Sequence, residues 1–320
     1  MTMTLYSVYS TMKILITGAS GLLGRELKRE LEVVPKWKVV GTAFKRASSE
    51  DNNLVTLDLR DKEAVNSLVK EFTPNVVVHA AAERNYGTIA KHAQEARELN
   101  VDGTKWLAEA VEGCGGFMLY ISTNLVFDGT SAPYVPTDTP KPANQYGDLK
   151  LAGEQVVRET CSRWGVLRLP MLYGEVEYAG ESGPTSLLDI VRDASKNVLL
   201  SNRERKYPTC TRDVAVVCKQ MLQKYEEDNT FSGLWHWSGN ECYTKFEMAV
   251  LISQLFSLPM SHVTGSSEPV GRHYQPYDCR LDCSALEVLG IGQRSQFRDA
   301  LKPCLEPFLN LNAEGQSVCR

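Results

Sequence analysis

The chain has 320 residues and a formal net charge of −4, with 43% hydrophobic and 23% charged residues. This is the ordinary balance of a globular protein, long enough for one large α/β domain or two packed lobes. The net negative charge argues against a general nucleic-acid or anionic-membrane binder, and no apolar run approaches the ~20 residues that cross a bilayer. We therefore expect neither a nucleic-acid partner nor a membrane partner.

Short β-branched runs alternate with longer amphipathic stretches through the first half of the chain, which predicts βαβ units on a parallel sheet. The predicted strands are residues 13–17, 38–43, 54–57, 75–79, 117–122 and 165–169. The predicted helices between them are residues 22–33, 61–72, 89–111 and 144–161. The predicted fold class is therefore α/β, a Rossmann-type doubly wound parallel sheet.

The strict alternation ends after Pro170. Residues 174–184 are Gly-rich, and residues 257–280 are polar with Pro and Gly, which predicts a surface loop. Helices are predicted at residues 187–194, 213–225, 245–256 and 297–301. We expect a loose extension at 1–11, a Rossmann domain at 12–172 to which later elements can return, a smaller α/β lobe at 173–309, and a tail at 310–320.

The nine cysteines are scattered and include no C-x-x-C pair. Cys279 and Cys283 are four residues apart, but no second Cys/His pair completes a zinc site beside them. The N-terminus lacks the basic-then-apolar layout of a secretory signal. These features predict reduced thiols, no metal site and a cytoplasmic location.

A glycine-rich turn follows the first predicted strand and opens the first predicted helix. Gly18, Gly21 and Gly24 give the spacing G-x-x-G-x-x-G, with Ser20, Leu22 and Leu23 between them. The first glycine permits a tight turn, the second lets the backbone approach a pyrophosphate, and the third lets helix and strand pack closely. The helix N-terminus supplies free N–H groups to the phosphates. The turn therefore predicts a dinucleotide site, the alternative being a plain Gly-rich turn.

The end of the second predicted strand indicates which dinucleotide binds. It reads Phe44-Lys45-Arg46 and carries no carboxylate to accept from a ribose 2′-hydroxyl. Arg46 can hold a 2′-phosphate with its bidentate fork, and Lys45 adds a compact positive charge. We predict NADP; the alternative is two solvated loop cations.

Tyr146 and Lys150 lie four residues apart on one face of a predicted helix. A nearby ammonium, together with the positive charge of the nicotinamide, favours phenolate, so Lys150 is expected to help lower the pKa of Tyr146 and to hold the nicotinamide ribose. Tyr146 could then pass a proton to or from a carbonyl oxygen. Thr123, with Ser122 second, ends the preceding strand and could hydrogen-bond the same oxygen. The alternative is that Y-x-x-x-K is only a helix face.

Together these motifs resemble the extended short-chain dehydrogenase/reductase family. Residues 122–129 and 146–154 resemble its dTDP-4-dehydrorhamnose reductase branch, which typically reads S-T-D-Y-V-F at the first of them. Asn124 and Leu125 depart from that pattern, so a carboxylate and a phenol are missing beside the catalytic hydroxyl. The departure bears on substrate reduction more than on cofactor binding.

The resemblance also implies further cofactor contacts. These are Asp58 and Leu59 along the adenine, Ala80, Ala81 and Arg84 along the middle of the cofactor, Leu172 beside the nicotinamide, and Asn100 as the family's helix asparagine. From the residues alone, His79 and Asp58 could equally be satisfied polar groups at strand ends, and Arg84 a surface cation.

The second half of the chain resembles a more specific family, the regulatory beta subunits of methionine adenosyltransferase. The likeness runs from about residue 12 to residue 310. The segments that carry it are residues 175–177, 207–214, 235–241, 244–249 and 281–294. From the residues alone, Trp235, His236 and Trp237 are expected to pack in the core.

Two functions follow from these resemblances. The first is a non-catalytic subunit that holds NADP and binds the methionine adenosyltransferase catalytic subunit, which makes S-adenosylmethionine; in that family the C-terminal tail reaches into the partner. The second is an NADPH-dependent reductase of a 4-keto nucleotide sugar, with Thr123, Tyr146 and Lys150 as its catalytic triad. The retained triad favours the enzyme. The second-half segments and the changes at Asn124 and Leu125 favour the regulator.

Overall fold

A seven-stranded parallel sheet forms the centre of the protein in the computed structural model, which describes residues 11–44, 53–271 and 274–309. The strands of the described chain are β1 (Met12–Thr17), β2 (Trp37–Ala43), β3 (Leu54–Thr56), β4 (Val76–His79), β5 (Phe117–Thr123), β6 (Trp164–Leu169), β7 (Leu172–Tyr173), β8 (Val198–Ser201), β9 (Thr209–Cys210), β10 (Gly233–His236) and β11 (Val263–Ser266). The large sheet has the order β10-β6-β5-β4-β1-β2-β3, and every neighbouring pair is parallel. The α/β Rossmann-type prediction is confirmed.

Helices cover both faces of this sheet. They are α1 (Leu22–Glu32), α2 (Lys62–Phe72), α3 (Tyr86–Lys91), α4 (Ala93–Arg97), α5 (Gly103–Gly113), α6 (Gln145–Thr160), α7 (Leu187–Arg192), α8 (Thr211–Glu227), α9 (Lys245–Phe256), α10 (Ser284–Glu287) and α11 (Phe297–Leu309). Ile14 and Ile16 of β1 pack into one core cluster and Leu15 packs into another, because successive side chains of a strand point to opposite faces. None of the described helices is both long and apolar enough to cross a membrane.

The single helix predicted at residues 89–111 is wrong. The structure has α3, α4, a π-helical turn at Glu98–Asp102 and then α5. The first of these helices begins at Tyr86 rather than at residue 89, because the Asn85 side chain caps it by accepting a hydrogen bond from the Thr88 amide at 3.0 Å. The chain breaks at His92, whose φ of −130° and ψ of 53° are not helical. Hydrophobic spacing alone could not reveal these breaks, because the apolar positions still follow one face.

The second half of the chain contributes to both lobes. β10 joins the large sheet beside β6, and α8 packs on α1, so the Rossmann lobe takes back elements that follow residue 172. The surface loop predicted at residues 257–280 contains β11, which pairs in parallel with β8. A third core cluster lies in the smaller lobe, where α7, α9 and α11 meet.

Two other expectations are met inside the core. Trp235, His236 and Trp237 are all buried, as expected of core residues. The eight cysteines of the described chain are free thiols; five are buried, and Cys114 is exposed. Burial raises the pKa of Cys161 and Cys218 to about 12.

A buried ion pair joins α6 to the sheet. The guanidinium of Arg168 on β6 donates to both carboxylate oxygens of Glu154 on α6, at 2.9 and 2.7 Å. The Ser122 hydroxyl on β5 donates to the same carboxylate, and His236 on β10 lies 3.4 Å from the guanidinium. The two charged side chains are 0% and 1% exposed. Three strands and one helix are therefore held by a single polar cluster.

We expect Arg168→Met to lower the free energy of unfolding by about 3–5 kcal/mol, because it leaves the Glu154 carboxylate buried without its partner. The matched control is Lys219→Met, which removes the partner of Glu30 at a site where both side chains are 24% exposed. That change should cost less than about 1 kcal/mol. Urea unfolding of the two variants checks this, and equal losses would contradict it.

Candidate functional site

A cavity of about 900 Å³ opens at the carboxyl ends of the parallel strands, where ligands bind in open α/β sheets. Most of the predicted site residues line it. These are Gly18, Ser20, Gly21, Leu22, Leu23, Gly24, Phe44, Asp58, Leu59, Ala80, Ala81, Arg84, Thr123, Tyr146, Lys150 and Leu172. Asn100 does not line the cavity, and Lys45 and Arg46 lie outside the described residues.

The glycine turn has the geometry of a phosphate cradle. Gly18 has a φ of +71°, and a Cβ there would lie 2.8 Å from the Ala81 Cα atom. A Cβ on Gly24 would overlap the Gly18 carbonyl oxygen. Gly21 is the N-cap of α1 and has no side chain to bond the first amides of the helix, and residues 21–24 line the cavity. This cradle fits the pyrophosphate of a dinucleotide.

The cavity wall beside Asp58, a predicted adenine contact, contains a cation that the sequence analysis did not single out. Arg60 lies 5.5 Å over the ring of Phe44 and donates to both oxygens of Asp58, at 3.0 and 2.7 Å. The Arg60 side chain holds the pKa of Asp58 below its ordinary value. The sequence could have indicated Arg60 as a cavity residue, because it lies only two residues after Asp58, a predicted adenine contact.

Polar residues behind the cavity support the backbone that lines it. The His79 ring is hydrogen-bonded to Thr17 at 2.6 Å and to Thr104 at 2.9 Å. Burial lowers the pKa of His79 to about 3, so the imidazole is neutral and is a satisfied polar group. The Asn100 amide accepts from the Glu83 N–H and donates to the Glu83 carbonyl, both at 2.8 Å. Asn100 thus positions the segment after β4 rather than lining the cavity.

The three residues predicted as a catalytic triad all line the cavity. Lys150 is only 3% exposed, and its ammonium lies 3.9 Å over the ring of Tyr120. Tyr146 is half-buried, with the Tyr86 ring edge-on to it at 6.2 Å between centroids. Thr123 accepts from the Leu125 N–H at 3.2 Å and stays in the cavity wall. Ser122, the second hydroxyl that the sequence suggested, also lines the cavity, and its hydroxyl donates to the Glu154 carboxylate.

The electrostatics of this group differ from the sequence-based expectation. Burial lowers the pKa of Lys150 to about 7, against the opposing effect of Glu154. Burial raises the pKa of Tyr146 above its ordinary value, and the Tyr86 phenol adds to the rise. The prediction that Lys150 depresses the pKa of the phenol is therefore wrong, because desolvation disfavours both charged forms. At neutral pH the phenol is protonated.

The smaller lobe contributes residues to the cavity wall, including Lys206 and Gln275. Gln275 accepts a hydrogen bond from the Lys206 ammonium at 3.3 Å and is also hydrogen-bonded to Tyr86. Asn124 donates to the Cys279 carbonyl at 3.1 Å, a contact that a carboxylate at position 124 could not make. Gln275 and Cys279 were missed as cavity residues because residues 257–280 were expected to be only a surface loop.

We expect Lys150 to produce a pH dependence of stability. Its pKa is about 7 in the folded protein against 10.5 ordinarily, so the unfolded chain binds the extra proton between these values. The free energy of unfolding should therefore rise with pH across that window. Urea unfolding at a series of pH values, for wild type and Lys150→Met, isolates this contribution. A difference that stays constant with pH would contradict the prediction.

The sequence is similar to that of known proteins over most of its length. The model of the RmlD substrate binding domain family matches residues 12–310. Methionine adenosyltransferase 2 subunit beta of Bos taurus is 43% identical over 298 residues, which cover 93% of this chain and 88% of that protein.

Solved structures agree in fold. A dTDP-4-dehydrorhamnose reductase of Clostridium acetobutylicum matches with a TM-score of 0.77 and 26% identity, covering 93% of this chain and 99% of that one. The same enzyme of Bacillus anthracis, in complex with NADP, matches with a TM-score of 0.77 and 24% identity, covering 93% and 98%. The chain belongs to the methionine adenosyltransferase 2 subunit beta family, within the wider RmlD substrate binding domain family.

Proposed function

We propose that the chain is an NADP-binding, non-catalytic regulatory subunit of methionine adenosyltransferase, which modulates S-adenosylmethionine synthesis by binding the catalytic subunit. The observation that carries the proposal is the 43% identity to a subunit of that name over 93% of the chain. The identity covers the smaller lobe as well as the Rossmann lobe, so it is more specific than a shared dinucleotide fold.

NADP is proposed as the ligand of the cavity on the chemistry of its walls. Gly18, Gly21 and Gly24 form the phosphate cradle, and the end of β2 carries no carboxylate to receive a ribose 2′-hydroxyl. Lys45 and Arg46 come one residue after β2, following Phe44, and carry the positive charge that a 2′-phosphate needs. A relative of the same fold is in complex with NADP.

The reductase remains the second candidate, because Thr123, Tyr146 and Lys150 all line one cavity. NADPH held there would supply a hydride to a carbonyl substrate. Two features of the chain oppose turnover. Gln275 is hydrogen-bonded to Lys206 and to Tyr86, whose ring packs edge-on to Tyr146, and Asn124 donates to the Cys279 carbonyl where the reductases carry a carboxylate. These contacts favour the regulatory proposal.

The C-terminal tail at residues 310–320 is proposed as a contact with the catalytic subunit. It lies outside the described residues, and its role is inferred from the family resemblance. The tail follows α11, whose Leu301 and Leu305 are fully buried in the smaller lobe. Deleting the tail after Leu309 therefore removes no described core side chain and provides a clean variant.

We expect the full chain to form a complex with a methionine adenosyltransferase catalytic subunit and to change its rate of S-adenosylmethionine formation. Deletion of residues 310–320 should weaken the complex while leaving the fold intact. Sizing chromatography and a product assay measure both. No complex together with unchanged kinetics would refute the regulatory function.

A separate assay tests the reductase. NADPH oxidation with a dTDP-4-keto-6-deoxy sugar, abolished by Tyr146→Phe, would establish that activity instead.

We expect Arg46→Ala to weaken NADP binding by about tenfold or more and to leave NAD binding nearly unchanged, since only NADP carries the 2′-phosphate. Calorimetry with each nucleotide measures both affinities. The matched control is Lys62→Ala, an exposed cation of α2 that pairs with Glu109 at 3.5 Å. Equal losses for NADP and NAD would refute the assignment of Arg46.

A further inference from the structure

One carboxylate links the smaller lobe to the glycine turn. The guanidinium of Arg25, in the first turn of α1, donates to both oxygens of Glu181 at 2.9 and 2.8 Å. The Glu181 side chain is only 3% exposed, whereas that of Arg25 is 23% exposed. A buried, bidentate pair of this kind is among the stronger polar contacts in a protein. It joins two segments that lie 156 residues apart in the chain.

The same segment is tied to both sides of the dinucleotide cradle. Arg25 also donates to the Ser20 carbonyl of the glycine turn at 3.0 Å. Arg84, which follows β4 on the other side of the turn, donates to the Glu181 carbonyl. We call residues 175–181 the strap. Its last residue is thus held by one arginine from each side of the cradle.

Contacts along the rest of the strap are weaker. Arg25 lies 3.4 Å from Glu177, and Arg29 lies 3.1 Å from Glu175. The Glu175, Glu177 and Arg29 side chains are 63%, 47% and 55% exposed, so solvent and salt screen them. The Glu177 N–H donates to the Glu181 carboxylate at 2.9 Å, which folds the strap back on its buried end. The strap backbone is also held by Arg25, which donates to the Glu175 carbonyl at 3.1 Å, and by Thr185, which donates to the Ala179 carbonyl at 2.7 Å. Among its charged side-chain contacts, the Arg25–Glu181 pair is the least exposed.

The strap and the cradle form walls of one cavity. Tyr178 and Glu181 line it together with Gly18, Gly21 and Gly24. A nucleotide whose pyrophosphate sits on the cradle would thus lie beside the strap. The strap buries only two apolar side chains, Val176 and Ala179, and is otherwise held by polar contacts. A segment with so little buried apolar surface can open locally at a lower free energy than the whole fold.

We propose that the strap is a gate on the phosphate side of the cavity, and that release of Glu181 from Arg25 limits both entry and exit of the dinucleotide. This rests on the proposed binding of NADP. A gate slows both directions, whereas a residue that merely stabilises the bound ligand slows only its release. Measuring the association rate constant and the dissociation rate constant therefore distinguishes a gate from a residue that only stabilises the bound ligand.

The test is stopped-flow fluorescence of NADPH with the full chain and with Arg25→Gln and Glu181→Gln. Both variants should raise the association and the dissociation rate constants by about tenfold or more, since each removes a charge-assisted bidentate contact. The dissociation constant should change much less than either rate. Glu181→Gln keeps the side-chain volume, so it carries the test if Arg25→Gln is poorly folded.

The matched control is Arg29→Gln, which removes contacts with Glu26 and Glu175 but touches neither Glu181 nor the glycine turn. It should leave both rate constants near those of the wild type. If the wild type binds NADPH and both variants associate with it at the wild-type rate, the gate proposal is overturned, whereas the proposal of NADP binding stands. No NADPH binding by the wild type or by any variant would overturn both. Binding seen only after Arg25→Gln or Glu181→Gln would support the gate.

Discussion

The buried ion pair between Glu154 and Arg168 is the constraint on which the site depends. It fixes α6 against β5 and β6, and α6 carries Tyr146 and Lys150. The helix also lies on the sheet without clearance, because a Cβ on Gly147 would overlap the Leu125 carbonyl and one on Gly153 would overlap the Tyr120 hydroxyl. A buried pair is seldom the most stable solution, but it specifies one arrangement of helix and strands. The position of the catalytic-type residues follows from that arrangement.

Much of the Rossmann lobe could be predicted because its signals are local. Strands such as β1 and β4 are continuous apolar runs, as expected of a parallel sheet buried on both faces. The glycine turn joins such a strand to an amphipathic helix, and its three glycines are required by close contacts that any side chain would obstruct. Tyr146 and Lys150 share a face at helical spacing, so their meeting in one cavity also followed from the sequence.

The rest of the site depends on contacts between distant residues. Gln275 meets Lys206 69 residues away, and Asn124 meets Cys279 155 residues away. Nothing near these residues in the sequence indicates such pairings. The pKa of Tyr146 was mispredicted for a related reason, since spacing reveals a neighbouring charge but not the depth of burial that outweighs it. The π-helical turn contains Asn100, whose amide makes two hydrogen bonds to Glu83, 17 residues away, and local spacing does not indicate that contact either.

The distribution of thiols has a practical consequence. Cys114 lies between α5 and β5, at the amino ends of the strands, whereas the cavity opens at their carboxyl ends. The thiolate is the reactive form of cysteine, and burial suppresses it at Cys161, Cys218 and Cys279, whose pKa values are raised to about 12. Among the cysteines that the structure describes, Cys114 alone is exposed. A fluorophore or spin label coupled there would report on the protein from the face opposite its ligand, leaving the cradle, the strap and the triad untouched.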